Sequence, residues 1–425
     1  MSNTNSRRKF FKNALAVGAM APIATFGRGY EEAIDKTSKM SIPTDLKITE
    51  IKCGYIRNGH SLFVKIFTSQ GIVGHGEGVD ATPGTYHLVK RFGFFLKDQN
   101  PLNVHRLFED IRRSGFFAGA QSGMYVAVLS AIEAALWDLA GKALGLPVYQ
   151  LLGGKFRDKI RVYCDTALNT SKLPGPTEFA NAATEAVKMG FNALKFDLDQ
   201  ADDPGKYDKF NWTASPAELQ RMVDSVAAAR KAVGPNIDIC IDCHGRYDAP
   251  TGHILAKRLE PFNLMWLEEP IPAENAEAYK SIKDSTSTPI CAGENHYLAY
   301  GFRSLLEIGA VDIIMPDLQK CGGLGEAQRI ANLSNLYYVP FAPHMVASYL
   351  GAMASCHACA SVPNFLILEW QIYFHRDPMF KEIVTFDGPM VENGFITLRD
   401  KPGVGVEINE EGMKKYATPG IPFFA

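Results

Sequence analysis

The chain has 425 residues, 46% of them hydrophobic, and its 44 Lys and Arg nearly balance 46 Asp and Glu, for a formal net charge of −2 at pH 7. That length is too great for one small core and predicts two domains. The dispersed, near-neutral charge argues against a nucleic-acid partner or an anionic membrane surface and leaves a small-molecule site as the default.

The chain opens with Ser6-Arg7-Arg8-Lys9-Phe10-Phe11-Lys12, followed by a weakly apolar stretch over 14–26. Paired arginines before a short stretch rich in Ala and Gly resemble a twin-arginine export signal; the alternative is the basic N-terminus of a cytoplasmic enzyme. The stretch is too short to span a membrane as a stable helix. Residues 1–40 are read as signal and linker, and a periplasmic location is expected.

Over 46–78 the sequence reads as three strands, LKITEIKCGYI, SLFVKIFTSQG and IVGHGEG. Alternation in FVKIFT and the SQG turn predict an antiparallel meander. Helical periodicity follows over 83–154, clearest at Val128, Ile132, Leu136, Leu139 and Ala143, and Gly145 and Pro147 end that helix. Together they predict an α+β domain over 41–158.

From Lys159 onward strands alternate with helices, which predicts parallel β/α units over 159–373. Strand ends fall near Thr166, Asp197, Asp242, Glu268, Glu294, Asp317, His344 and Glu369. Eight such ends, most of them ionisable, point to a (β/α)8 barrel with its site at the strand C-termini. Asp242, Glu268 and Glu294 stand 26 residues apart, and the next steps are 23, 27 and 25. The step of 45 from Asp197 to Asp242 is too long for one unit, so 199–216 is read as a loop at the active-site end. The tail, 374–425, carries turn signals and alternating runs and is expected to return to the first domain and complete it.

Eight cysteines include two C-x-x-C pairs, Cys240/Cys243 and Cys356/Cys359. One pair lies on a predicted strand and the other on a predicted helix, so buried free thiols are expected rather than zinc ligands.

Three carboxylates on one side of a barrel mouth repel strongly unless a cation sits between them. The all-oxygen set Asp242, Glu268 and Glu294 favours Mg²⁺, with Mn²⁺ as the alternative, over zinc. Glu269 should face the other way by strand alternation. His244, two residues after Asp242, is expected on the same strand face, where it can protonate a leaving group or simply hydrogen-bond a ligand carboxylate. Asp317 and His344 end neighbouring strands. An Asp on one imidazole nitrogen sets the tautomer and raises basicity at the other, which makes His344 the leading general base. Lys195 and Asp197 share a face, so Lys195 meets either a substrate carboxylate or Asp197. Glu369 hydrogen-bonds a substrate carboxylate when protonated, or else orders Lys195.

With these residues in place, the chain resembles the enolase superfamily, and within it the mandelate racemase/muconate lactonizing enzyme type. The strings ALWDLAGKALGLPVYQLLGG, IDCHGRYD, WLEEP, AGEN, MPDLQKCGG, APH and LE carry the resemblance, which spans about 46–425. It implies an N-terminal capping domain on a modified barrel, one Mg²⁺ per subunit, a carboxylate substrate and a homo-oligomer. It also implies removal of the proton α to the carboxylate, giving a metal-stabilised enediolate. The string DCHGRY is most similar to acid-sugar dehydratases of the galactonate and mannonate type. Carried over, His344 takes the C2 proton with Asp317 behind it, and His244 protonates the departing C3 hydroxyl to give a 2-keto-3-deoxy acid. Lys195 is counted with these as catalytic. Glu369, Asp197, Arg57 and His60 are expected to touch substrate, the last two from a capping-domain loop over 55–60 that closes over the barrel with a second loop over 115–124.

Many relatives carry Lys-x-Lys on the second strand, where this chain has Lys195-Phe196-Asp197. The second base of a two-base racemase is missing, which favours the dehydratase. An epimerase, racemase or cycloisomerase using the same enediolate is the alternative, and an exported inactive binding protein is the third reading.

Overall fold

The computed structural model describes residues 45–166, 168, 173–200 and 203–425. The twin-arginine reading of Arg7 and Arg8 lies outside the described residues.

The capping domain begins with an antiparallel sheet of β1 (Ile48–Ile56), β2 (Ser61–Thr68) and β3 (Val73–Val79), in that order. Three helices follow, Tyr86–Leu96, Val104–Ser114 and Gly123–Leu144. The last is long and apolar enough to cross a membrane by length and composition, but it is the domain's core helix. The periodicity of Val128, Ile132 and Leu136 predicts one buried stripe, whereas the helix is buried nearly all round. The reason is its position between the meander and the barrel. On one side it lies directly on β3, where a Cβ at Gly76 would fall 2.1 Å from the Ala131 carbonyl oxygen, so only glycine permits the approach. On the other side Glu133 accepts hydrogen bonds from the backbone of Leu324 and Gly325, each at 2.8 Å. Gly145, at φ 70°, ends the helix as expected.

The second domain is a modified (β/α)8 barrel. Its parallel strands are β4 (Lys159–Asp165), β5 (Ala193–Asp197), β6 (Asp238–Asp242), β7 (Trp266–Glu268), β8 (Ile290–Ala292), β9 (Ile313–Ile314) and β10 (Leu368–Gln371), and β10 pairs with β4. The seventh position is not a regular strand. Phe341 bridges Ile314 and Phe365, and His344 bridges Asp317. Prolines at 316, 340 and 343 remove backbone donors here, so the ladder breaks into single bridges. Helices connect successive positions, several with the side-chain caps their sequences advertise: Ser215 accepts from Glu218 N, Asp248 from Thr251 N and Asn275 from Ala278 N.

Tyr163, Cys240, Trp266, Cys291 and Met315 fill the barrel interior beneath the strand ends. All eight cysteines are free and buried. Cys240 packs inside the barrel and Cys243 in the outer core, so that pair does not converge on one ion.

The tail does more than return to the cap. It forms β11 (Val384–Thr385), β12 (Phe395–Thr397) and β13 (Glu407–Ile408), and β12 pairs antiparallel with barrel strand β4. It meets the capping sheet from β13, where Glu407 lies 2.9 Å from His75 of β3, and further on Thr418 N donates to Tyr55 O and Phe424 N to Cys53 O, both at 2.8 Å.

Candidate active site

Asp242 ends β6, Glu268 ends β7, and the two are in register with each other and with Asp197 at the end of β5. Glu294 follows β8 by two residues, Asp317 follows β9, and Glu369 lies in β10. Asp242, Glu268, Asp317 and Glu369 are fully buried. Lys195 rises from β5 into their midst, 2% exposed, with Nζ 2.9 Å from Glu369 Oε1, 3.1 Å from Asp242 Oδ2 and 3.7 Å from Glu268 Oε1. The pair with Glu369 is the one expected if Glu369 orders Lys195, and Lys195 meets two further carboxylates, on β6 and β7, while no ion pair joins it to Asp197 among the described residues.

One lysine does not balance that cluster. Burial pushes the Glu268 carboxyl well above its ordinary range, and Asp242, Glu294 and Glu369 add to the push against Lys195. Asp242 is held below its ordinary value although burial works the other way, because Lys195 and His244 attract its charge. Glu294 is likewise held down against burial, chiefly by His344.

The donor set fits a hard divalent cation. Glu268 Oε1 and Asp197 Oδ1 are buried without a hydrogen-bond partner among the described residues. Donor atoms of Asp197, Asp242 and His244 also lie within 4.8 Å of one another. That grouping shares only Asp242 with the expected triad. Glu268 turns toward Lys195 and the Trp266 indole N–H, at 3.2 Å, and Glu294 turns toward His344. The residues that could hold the cation are Asp242, Glu268 and Glu294, with Asp197 as a further oxygen beside them. Glu269 leaves the ladder at φ 34° and accepts from Gly293 N and Asn295 Nδ2, so it braces the β8 loop outside the cluster.

His344 and Asp317 meet as expected, Nδ1 to Oδ2 2.7 Å. The other nitrogen, Nε2, is 2.8 Å from Glu294 Oε2 and 3.5 Å from Glu369 Oε2. Burial would lower the imidazole's pKa, but Glu369, Glu294 and Asp317 together hold it well above the ordinary histidine value. Met345 N, at 3.0 Å, fixes Glu369 Oε2 from the same loop.

His244 also lies where expected, Nε2 3.7 Å from Asp242 Oδ2, but the pleat does not put it there. The strand stops at Asp242. His244 takes φ 46° and Gly245 φ 63°, in a tight turn pinned by His244 N on Asp242 Oδ1 at 2.8 Å and Gly245 N on the Glu269 carbonyl at 2.7 Å. Its side chain is 36% exposed, and Nδ1 lies 2.7 Å from Asp199 Oδ1. Asp242 above all, with Asp199, pushes the imidazole's pKa up to about 11 against burial.

The capping domain meets this mouth through Arg57, His60 and Asp80. Arg57, at φ 53°, donates to the Val346 carbonyl at 3.2 Å and lies over the rings of Tyr373 and Phe380, so it clamps the rim of the barrel two residues beyond His344. His60 Nδ1 is 3.3 Å from Asp80, whose other oxygen is 2.9 Å from Lys320 Nζ. Lys320 follows Asp317 by three residues and is buried, so a chain of charges runs from the sixth strand end to the cap. A cavity of about 560 Å³ opens beside these loops, lined among others by Arg112 and Ser122 of the cap and Asn295, His296, Tyr297 and Tyr300 of the barrel. Sequence reasoning missed Asp80, Asp199 and Lys320. Asp199 carried a readable signal, since it continues the two-residue step of Lys195 and Asp197. Lys320 stood within MPDLQKCGG without a partner that linear spacing could suggest.

A family model for the mandelate racemase/muconate lactonizing enzyme N-terminal domain matches residues 39–153, and one for the enolase C-terminal domain-like fold matches 178–412. The chain belongs to the enolase superfamily, of the mandelate racemase/muconate lactonizing enzyme type. It is 37% identical over 395 residues to D-xylonate dehydratase of Haloferax volcanii, covering 92% of this chain and 94% of the relative. It is 36% identical over 375 residues to D-galactonate dehydratase of Pectobacterium atrosepticum, covering 86% and 93%. A mandelate racemase/muconate lactonizing enzyme-like protein of Rubrobacter xylanophilus superposes with a TM-score of 0.85 at 43% identity, covering 90% of this chain and all of that one.

Proposed function

We propose that the protein is a Mg²⁺-dependent dehydratase of a sugar acid, converting an aldonate to its 2-keto-3-deoxy acid. The observation that carries this reading is the placement of two histidines around one carboxylate cluster. His344 stands at the seventh barrel position and His244 just after the third, four positions apart in a ring of eight. They therefore face a bound substrate from opposite sides. The relatives named D-xylonate and D-galactonate dehydratase support the substrate class.

A cation held by Asp242, Glu268 and Glu294 would supply Lewis-acid stabilisation for the charge that develops on the substrate carboxylate. The chain's own groups do the rest. His344 Nε2 takes the C2 proton while Asp317 holds its Nδ1–H, and the electron pair of that C–H bond forms the enediolate. His244 then gives a proton to the C3 hydroxyl from the other face. The C3–O bond breaks, water leaves, and the C2–C3 enol tautomerises to the ketone. Lys195 keeps Asp242, Glu268 and Glu369 in place beneath the reacting carbons. With Asp197 in place of a second lysine, the face opposite His344 lacks a strong base, which favours elimination over racemisation.

The test is a panel of aldonic and aldaric acids with purified protein and Mg²⁺. A semicarbazide-reactive 2-keto product supports the dehydratase. Exchange at C2 in D₂O without loss of water would place the protein among the isomerases, and neither reaction on any acid would favour a binding protein. We also propose, on the Arg7-Arg8 sequence alone, that the enzyme works outside the cytoplasm.

A further inference from the structure

We propose that Asp199 is the positioning residue of the acid His244, forming with it a second histidine–carboxylate pair that answers Asp317–His344 across the barrel mouth. This assignment rests on the dehydratase reading. The two pairs have the same geometry, Nδ1 to carboxylate oxygen 2.7 Å in each. In each the other ring nitrogen, Nε2, points at the carboxylate cluster, toward Asp242 for His244 and toward Glu294 for His344. A carboxylate on Nδ1 sets which nitrogen carries the remaining proton and fixes the ring's rotation.

Two features give Asp199 the placement such a role needs. Leu198 N donates to the Asp242 carbonyl at 2.9 Å, which carries the β5–β6 pairing one residue past the strands and brings Asp199 beside the His244 turn. Its second oxygen is held by Arg246 Nε at 2.5 Å, and its side chain is only 7% exposed, so the carboxylate has little freedom. His244 needs that brace more than His344 does. Its backbone is pinned by Asp242, but its ring is more than a third exposed, and Asp199 is the hydrogen-bond partner that Nδ1 has.

The competing role for Asp199 is structural, a tie between the loop after β5 and Arg246. A pair of substrates separates the two. On the sugar acid, the C3 hydroxyl must be protonated as it leaves. On its 3-deoxy-3-fluoro analogue, His344 takes the same C2 proton but the C3–F bond breaks to release fluoride, which needs far less help from an acid. Asp199→Ala should cut dehydration about 100-fold while leaving C2 exchange in D₂O and fluoride release within about threefold of wild type. Asp199→Asn, which keeps an acceptor oxygen for Nδ1–H, should recover part of the loss and guards against a folding defect in the alanine variant. Equal losses on both substrates, or no loss on either, would overturn the assignment while wild-type dehydration stands. A wild type that dehydrates no sugar acid would overturn the reading of the site, and this assignment with it.

Discussion

Lys195 Nζ sits 2.9 Å from Glu369 Oε1, although their strands, β5 and β10, are separated in the barrel by β4. The contact crosses the interior, and the same ammonium also meets Asp242 and Glu268. Removing it leaves three buried carboxylates without their shared cation. Lys195→Met should destabilise the metal-free protein by about 3–5 kcal/mol, the usual cost of an uncompensated buried charge. Thermal melts with and without Mg²⁺ read this directly. If the variant melts like wild type in EDTA, Lys195 is not what balances the cluster.

His344→Asn should abolish both dehydration and C2 exchange, by about 10³-fold, because both begin with the same proton transfer. His244→Asn should block dehydration alone. NMR of the C2 position in D₂O, run beside a product assay, separates them. Full exchange activity in His344→Asn would mean that another group is the base.

Excess negative charge at the strand ends would make the proposed cation a folding ligand as well as a catalytic one. Saturating Mg²⁺ at about 100 times its Kd should add about 2.7 kcal/mol of stability over the EDTA-treated protein. Glu268→Gln removes one donor and relieves repulsion, so it should melt higher than wild type without Mg²⁺ and gain less on adding it. Calorimetric titration checks the affinity, and an unchanged Mg²⁺ affinity in Glu268→Gln would remove that residue from the ligand set.

The tail is tied to the core helix at Glu407, which meets Lys142 Nζ at 2.7 Å and His75 Nδ1 at 2.9 Å. Burial raises its carboxyl, but the His75 hydrogen bond and the Lys142 charge outweigh this and take the pKa from 4.5 down to about 2. A carboxyl depressed on folding stabilises the folded state above its unfolded pKa and loses that contribution as pH falls through the folded one. Glu407→Gln should therefore cost stability at pH 6, and the gap from wild type should close between about pH 4.5 and 2. The side chain is half exposed, so solvent screening keeps the effect to about 1 kcal/mol or less. Denaturant melts of both proteins across that range measure it.

The proposed export rests on the arginine pair and is tested by replacing Arg7 and Arg8 with lysine. The substituted chain should stay in the cytoplasm of a host with a twin-arginine system while the native chain is found outside it. Equal distribution of the two in cell fractions would remove the signal reading.

By itself the sequence determined the barrel, the cap and the ring of ionisable strand ends. Parallel strands recur at near-constant intervals, and their last residues must sit around one mouth, so Asp242, Glu268, Glu294, Asp317, His344 and Glu369 could be placed from spacing alone. What spacing does not carry is the direction of a side chain once the strand has ended. Only the tertiary structure showed that His244 is set by a left-handed turn rather than by the pleat, and that Lys195 meets Asp242 and Glu268 as well as Glu369. Nor could the sequence show that Arg57 grips the rim, that Lys320 answers Asp80 of the cap, or that Asp199 stands behind the second histidine. The contacts of Lys195, Lys320 and Asp199 join groups on different loops or strands, chosen by which opposite charge the closed fold brings within reach, and Arg57 is held by a carbonyl and two rings that the fold brings to the rim.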